Sequence, residues 1–182
     1  MSEKFPEKWF RPLYGHPCWG IEYGRQTNLS INFGKPSLEI REPFVTESQS
    51  QVVRELASRR LVTVRGEWWL WLWCCYWKLT LNEETLATGS SSARRTKKAM
   101  SRLSGQKIVS LSVNEKTGFS GFEFDLGCQL SCRRFERDSE ERLWSLYRPN
   151  GYVLSVHGNG TYCHQRSTDS ELQRNPIGDV GR

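Results

Sequence analysis

The feature that most constrains the fold of this chain is a weak internal duplication at an offset of 90 to 93 residues. Residues 15–41 read GHPCWGIEYGRQTNLSINFGKPSLEIR, and residues 105–133 read GQKIVSLSVNEKTGFSGFEFDLGCQLSCR. With a few residues inserted in the second copy, Gly15 falls on Gly105, Ile21 on Leu111 and Thr27 on Thr117. Phe33 then falls near Leu126, Gly34 on Gly127, Leu38 on Leu130 and Arg41 on Arg133. Each copy is a glycine, an extended run, a Thr-containing turn, a second extended run, a second glycine and a third extended run. A three-strand pattern made twice predicts two like-ordered β units. It dictates architecture, not chemistry, and the chain carries no strong catalytic or cofactor motif.

A length of 182 residues suits one domain or two small halves sharing a core. Hydrophobic residues are only 37%, but eight Trp and eight Phe bury large areas each, enough for a real core. The net charge of +6 suits phosphates or acidic partners and is also ordinary for a soluble protein. The first residues, MSEKFPEKWFRPLYG, are polar and broken by Pro6 and Pro12, without an apolar signal region. The longest apolar run, residues 68–77, would cross only about half of a ~30 Å hydrocarbon core as a helix. These features predict no membrane association and a cytoplasmic location, where the six Cys stay reduced.

Along the chain, residues 1–14 form an arm that packs Trp9, Phe10 or Leu13 on the body. The first β unit covers residues 15–89. Its strands are 19–23, 29–33 and 37–41, with Gly34, Lys35 and Pro36 as the turn into the third. Val52, Val53 and Leu56 have helical spacing within the ambiguous stretch 46–59. Residues 61–65 read as a strand, and Gly66 and Glu67 turn into a long strand over 68–81. The first part of that strand is apolar on both faces, which predicts a central strand covered on both sides. The connecting helix spans 90–104, capped by a serine among Ser90, Ser91 and Ser92 and ended by Gly105. Its apolar stripe is Ala93, Thr96, Met100 and Leu103. The second β unit covers 105–164, with strands at 108–113, 119–126, 128–133, 143–147, 152–157 and 161–163. A charged loop occupies 136–142. Residues 165–182 lack any apolar period and predict a disordered tail.

The stretch GEWWLWLWCCYWKL, the phrase FEFDLG, and LWSLYRPNGYVLSV followed by GNGTY resemble a group of small bacterial proteins of unassigned function. The resemblance covers most of residues 10–164. Proteins of this kind look like the β-rich immunity or accessory proteins encoded beside bacterial toxins. The resemblance implies a binding role and brings no catalytic residues.

Chemistry-bearing constellations are few. Cys128 and Cys132, with His157, Cys163 and His164, are of zinc-ligand type. Residues four apart on a strand stand ~13 Å apart, which defeats a shared metal. Small hydrophobes in a core are the simpler explanation. Cys74 and Cys75 point to opposite faces of one strand. Cys163 with His157 is a nucleophile pair on paper, with no flanking pattern to support it. Asp125 accepts hydrogen bonds from the adjacent turn. Neither a metal, a cofactor nor a catalytic residue is therefore expected, and the chain is not expected to be an enzyme.

Two surfaces remain as binding candidates. Arg94, Arg95, Lys97, Lys98 and Arg102 form a basic helix face that suits phosphate or nucleic acid. No helix-turn-helix, zinc finger or RNA-binding signature surrounds it, so a solvated outer face is the simpler reading. Trp68, Trp69 and Trp71 cannot all be buried on both faces of one strand in so small a protein, and they are the partner-contact candidates. The expected protein is mainly β: two related antiparallel three- to four-stranded units sharing one core, joined by one helix. Its expected function is non-enzymatic protein binding, immunity-like or accessory to a toxin, with an acidic partner. The alternative is a small-ligand or nucleic-acid module using the groove between the units or the basic helix. Genomic neighbourhood is the quickest discriminator.

Overall fold

The computed structural model of the chain describes residues 5, 7–24, 28–135, 140–169 and 173–177. Two antiparallel sheets face each other. One is built from β1 (Cys18–Tyr23), β2 (Leu29–Arg41), β3 (Leu61–Leu72), β9 (Arg142–Tyr147), β10 (Tyr152–His157), β11 (Thr161–Arg166) and β12 (Asn175–Pro176), side by side in that order. The other is built from β4 (Tyr76–Leu81), β5 (Glu84–Thr88), β6 (Ile108–Val113), β7 (Ser120–Phe124) and β8 (Cys128–Arg133), in the order β5-β4-β8-β7-β6. Three α-helices lie between strands or before them: α1 (Glu7–Phe10), followed by a single 3-10 turn over Arg11–Leu13, α2 (Gln51–Ala57) and α3 (Ala93–Leu103). The mainly β fold with a minor helical part is the one the sequence predicts.

One core runs between the sheets. Trp144 of β9 and Phe122 of β7 meet edge to face across it at 5.7 Å, and Phe10 from α1 closes the triangle at 6.0 Å from each. The Trp144 indole N–H donates to Ser120 Oγ at 2.8 Å, so the one polar atom of this buried ring is satisfied. From α3, Thr96, Ala99, Met100 and Leu103 are buried, and Ser92 caps its N-terminus by accepting from the Arg95 amide. Ala93, at the first helical position, is exposed.

The two halves exchange strands. The meander β1-β2-β3 sits in the seven-stranded sheet, and the hairpin that follows it, β4-β5, crosses to the other sheet. The meander β6-β7-β8 sits in the five-stranded sheet, and β9-β10 crosses back. The five-stranded sheet is thus a meander from one half beside a hairpin from the other, and the seven-stranded sheet is a meander beside the four strands β9, β10, β11 and β12. At the seam, Pro17 bridges Lys107. Around that bridge, Gly15 donates to the Ile108 carbonyl at 2.9 Å and Gly105 to the Cys18 carbonyl at 2.8 Å. Cys18 donates to Gln106, and Ile108 to His16, in the same reciprocal sense. The turns before the seam match as well, since His16 donates to Leu13 and Gln106 to Leu103. The N-terminal segment, expected as an arm, therefore occupies the place in its half that α3 occupies in the other, with Phe10 and Leu13 fully buried.

Three expectations are corrected. Residues 37–41 are not a separate third strand: β2 runs unbroken from Leu29 to Arg41. Gly34, at φ +75°, makes a bulge, and the register jumps from Phe33 opposite Trp68 to Pro36 opposite Gly66. Side chains supply the bonds that the ladder loses there. Lys35 donates its amide to the Glu67 carboxylate at 2.9 Å, Gly66 to Asn32 Oδ1 at 2.9 Å, and the Trp19 indole to the Gly34 carbonyl at 2.9 Å. Gly66 and Glu67 lie within β3 for the same reason, and the first half's meander is completed by residues 68–72.

The long strand over 68–81 is two strands. β3 ends at Leu72, Cys74 takes a left-handed conformation at φ +48°, and the chain re-enters the opposite sheet at Tyr76. Core-facing residues are Trp68, Leu70 and Leu72 before the crossing and Cys75, Trp77 and Leu79 after it. The parity change, together with Trp69 and Trp71 on the outer face of β3, is why the run looks apolar on both faces.

Part of the expected tail is strand. Gln165 and Arg166 end β11, Asn175 and Pro176 pair with Tyr162 and Thr161, and Ile177 is buried. Ile177 supplies an apolar anchor for this segment. Residues 170–172 and 178–182 of that segment lie outside the described residues, as do 136–139 of the charged loop.

Candidate interaction surface

In the second half, three residues (Asp125, Leu126 and Gly127) join β7 to β8. In the first half, the corresponding connection is residues 34–66. The outer part of β2 pairs with the outer part of β3 over six positions, from Pro36 opposite Gly66 to Arg41 opposite Leu61. At about 3.3 Å per residue the ribbon projects roughly 20 Å. Its lateral edges are open among the described residues: β1 pairs with β2 only as far as Phe33, and β9 pairs with β3 only over Trp69–Leu72. At its end, α2 is capped by Ser50 and tied down by Phe44 donating to the Ala57 carbonyl and Arg41 to the Leu56 carbonyl.

The ribbon is two-faced. Leu38 and Ile40 stand opposite Val64 and Val62 on the same face of β3 as Trp68, Leu70 and Leu72. The core-facing side of the sheet therefore continues outward past the point where the second sheet covers it. The other face carries Ser37, Glu39, Arg41, Thr63 and Arg65, with Glu39 paired to Arg65 at 3.1 Å. Ten of the fifteen exposed large apolar side chains among the described residues lie in residues 38–64, and Val45 is 98% exposed. In α2, Val52, Val53 and Leu56 are exposed too, so their helical spacing does not mark a core-facing stripe. So concentrated an apolar surface is what an interaction site needs and what a monomer normally avoids.

The tryptophans separate by face. Trp68 is only 7% exposed and belongs to the core side, where the Arg148 guanidinium lies 5.5 Å from its ring. Trp69 and Trp71 are half-buried on the outer face at the base of this projection, the arm of residues 34–66. Trp69 stacks on Trp71 at 5.4 Å and on Tyr147 at 4.6 Å, and Arg65 covers it at 4.2 Å. The ladder occupies the ring faces internally. A cleft of about 320 Å³ beside it is bordered by Glu22, Tyr23, Asn28, Ser30, Arg65 and Trp71 among others.

The basic helix is split in role. Arg94, Lys97, Lys98 and Arg102 are exposed on α3. Arg95 instead reaches back to β5 and donates to the Leu86 and Thr85 carbonyls at 2.6 and 2.8 Å.

Cys163 and His157, adjacent only on paper in the sequence, are brought together: Sγ lies 3.6 Å from Nε2, and Nδ1 lies 3.2 Å from the Glu140 carbonyl oxygen. Both side chains are buried. Burial pushes the Cys163 thiol up, against the opposing pull of Arg174 and Arg142. Burial also holds the His157 imidazole down. Both shifts favour a neutral thiol bonded to a neutral imidazole, the reverse of the thiolate that a nucleophile requires. Cys18 is pushed up to about 12 by burial, and Cys75 is raised by its hydrogen bond with Cys132 and by burial. Cys128 is raised by burial and accepts from Gln106. Asp125 accepts from the Lys107 amide at 2.8 Å, a partner just before β6 and not in its own turn. Among the described residues, no three His, Cys, Asp or Glu side chains gather as a metal centre would require. No helix of the described residues is long and apolar enough to cross a membrane.

Comparison with protein-family models, with curated proteins and with solved structures finds no match for this chain. Of the surfaces described, the arm is the one that sequence reasoning missed. Its signal was present, since Leu38, Ile40, Val62 and Val64 alternate with polar residues. Alternation identifies a strand with one apolar face, but not whether a second layer covers it.

Proposed function

We propose that the chain is a non-enzymatic protein-binding protein of the cytoplasm that engages its partner through the arm at residues 34–66. Its mode is immunity-like or accessory to a toxin: a rigid body presents a projecting apolar contact that occupies a partner's surface. The observation that carries this reading is the amphipathic ribbon, whose apolar face extends the core side of the sheet into solvent. Buried apolar contacts supply most of the energy in such interfaces, while rim charges tune association rate. The net charge of +6 favours an acidic partner. Trp69 and Trp71 stand at the base of the arm on its opposite face, beside Arg65, and form a separate aromatic surface.

The test begins with a photo-crosslinking residue placed at Leu38 or Val64 in living cells, and at Lys98 as a control. The adduct identifies the partner, whose affinity is then measured in purified form. Leu38→Glu combined with Val64→Glu is expected to cost more than ~2 kcal/mol, about thirty-fold in Kd. Reversing Lys97 and Lys98 is expected to cost less, through the on-rate. Crosslinks confined to Lys98, or unchanged affinity in the arm variant, would remove this reading in favour of a phosphate-binding one.

A further inference from the structure

We infer that the chain forms a two-fold dimer by strand addition: the outer edge of β3, from Leu61 to Arg65, pairs antiparallel with the same edge of a second copy. The dimer stands apart from the partner contact proposed above, because it uses the rim of the ribbon and not its apolar face.

The edge is open and undefended. On the tip side of Trp69, β3 has β2 along one flank and no strand along the other among the described residues. Such an edge presents unpaired N–H and C=O groups, and proteins blunt it with proline, lysine, a bulge or a cover. The rim of β2 is blunted in this way, since the bulge at Gly34 disrupts it and Pro36 has no N–H to offer. Leu61–Arg65 contains no proline, glycine or lysine. Its one charge, Arg65, is drawn back over the Trp69 ring and onto Glu39.

The sequence of this edge is complementary to itself. A two-fold axis at Thr63 sets Thr63 opposite Thr63, Val62 opposite Val64 and Leu61 opposite Arg65 of the second copy. Thr–Thr and β-branched pairs are favourable cross-strand neighbours. Because side chains alternate with a period of two, Val62 and Val64 of both copies stay on one face. Just past the strand, Arg59 comes opposite Glu67 of the second copy. Both are exposed, and Arg59 has no ion pair among the described residues. Neighbouring registers are poorer. Centring on Val62 sets Arg59 against Arg65, and centring on Val64 sets Val62 against Gly66, which has no side chain to pack. A pairing of two β2 rims centred on Glu39 would oppose two carboxylates.

The projection of the ribbon keeps the bodies apart. Trp68, where the covered part of β3 begins, is five residues from the axis, roughly 17 Å along the strand. The two bodies therefore stand at opposite ends of a joined four-stranded ribbon. A lone two-stranded ribbon is marginal in water, whereas three or more strands with an apolar face hold together. The joined ribbon carries Leu38, Ile40, Val62 and Val64 twice on one side.

Sedimentation velocity of the full chain measures the association. Monomer is expected at about 1 µM and dimer at about 100 µM, because so short a paired edge makes a small, weak interface. Thr63→Lys keeps a favourable cross-strand neighbour in Glu39 of its own chain but opposes two ammonium groups at the axis, and should weaken dimerisation at least about ten-fold. Thr63→Glu should also weaken it. An equimolar mixture of the two variants should dimerise at least as well as the unaltered chain, a rescue that requires residue 63 to face its own copy and that shows both variants folded. Leu38→Glu, on the apolar face of β2, should leave dimerisation within about two-fold. A chain still monomeric at about 100 µM overturns the inference, as does a mixture that associates no better than its components. Loss of the dimer in Leu38→Glu with retention in Thr63→Lys would mean that two arms pack face to face, and overturns it too. Crosslinking of a partner at Leu38 in the monomeric Thr63→Lys chain tests the partner contact by itself, so either can fail without the other.

Discussion

Gly15 and Gly105 hold the two halves together by the same act performed twice: each donates its amide proton to a carbonyl of the other half, at 2.9 and 2.8 Å, on opposite sides of the bridge between Pro17 and Lys107. Both have left-handed backbones, φ +83° and φ +88°, and a Cβ on either would meet nothing within 4 Å. The cost of a side chain there is conformational, not steric.

Gly15→Ala and Gly105→Ala are therefore each expected to lower stability by about 1–2 kcal/mol, and by similar amounts. Gly118→Ala should cost more, because its Cβ would collide with the His157 carbonyl oxygen as well as needing φ +64°. Urea denaturation of the three variants checks the ranking. A neutral Gly105→Ala would mean that the seam tolerates another backbone path.

The outer and inner parts of β3 should respond to substitution by very different amounts. Val62→Thr with Val64→Thr is expected to change stability by less than ~1 kcal/mol, since both residues are already half in water. Leu70→Ala, on the same face of the same strand but fully buried, should cost about 3 kcal/mol. The native protein should bind a hydrophobic dye such as ANS, and the Val62 and Val64 pair of changes should reduce that fluorescence. Dye binding unaffected by the pair would place the apolar surface elsewhere.

Stability should fall as pH drops below about 6.5, the ordinary His value. Burial holds the folded-state pKa of His157 below that value, aided by Arg174 and Arg142 and opposed by the Glu140 carbonyl. Burial, Arg148 and Lys8 do the same to His164. Between the lowered folded values and 6.5 the unfolded chain binds protons that the folded chain does not, so acid favours unfolding. His157→Gln should flatten that part of the profile. A slope unchanged in the variant would assign it to other groups.

Arg95 and Lys98 lie on one helix but should not behave alike. Arg95→Ala removes two hydrogen bonds to β5 carbonyls and is expected to cost about 1–2 kcal/mol. Lys98→Ala, on an exposed position, should stay within about 0.5 kcal/mol. Thermal melts at matched ionic strength separate the two. Equal effects would mean that Arg95 acts only through its charge.

Sequence reasoning recovered the elements whose signals are local. Ser92 and Gly105 bracket α3 because caps are chemical and sit at fixed offsets. The period of two in Leu29, Ile31 and Phe33 marks β2, and the three residues are fully buried. The glycine match between Gly15 and Gly105 carried the seam. Where the sequence misled, the deciding partner was remote. Gly34, Lys35 and Pro36 have turn composition, but Glu67 and Trp19, 32 and 15 residues away, bond the bulge and carry the strand through. The Trp-rich run looked like one strand because faces alternate within a strand but not across a change of sheet. The approach of Cys163 to His157 depends on the pairing of β10 with β11, which residue types alone do not encode.

The crossing between Leu72 and Tyr76 works as a frame for the rest of the chain. Two residues, Trp73 and Cys74, separate Leu72 from Cys75, the last buried position before the crossing and the first after it. Deleting one of Trp73 or Cys74 would turn Lys78 toward the core and Trp77 and Leu79 toward water, and every position of β4 would then be read in the wrong phase. Its neighbour β8, registered on β4 from Cys128 to Arg133, would lose its facing partners in turn. The number of residues in this link is therefore under far tighter constraint than their identity. Cys74 can give way to Asn or Gly, which tolerate its left-handed backbone, whereas a single-codon deletion beside it would scramble both sheets at once.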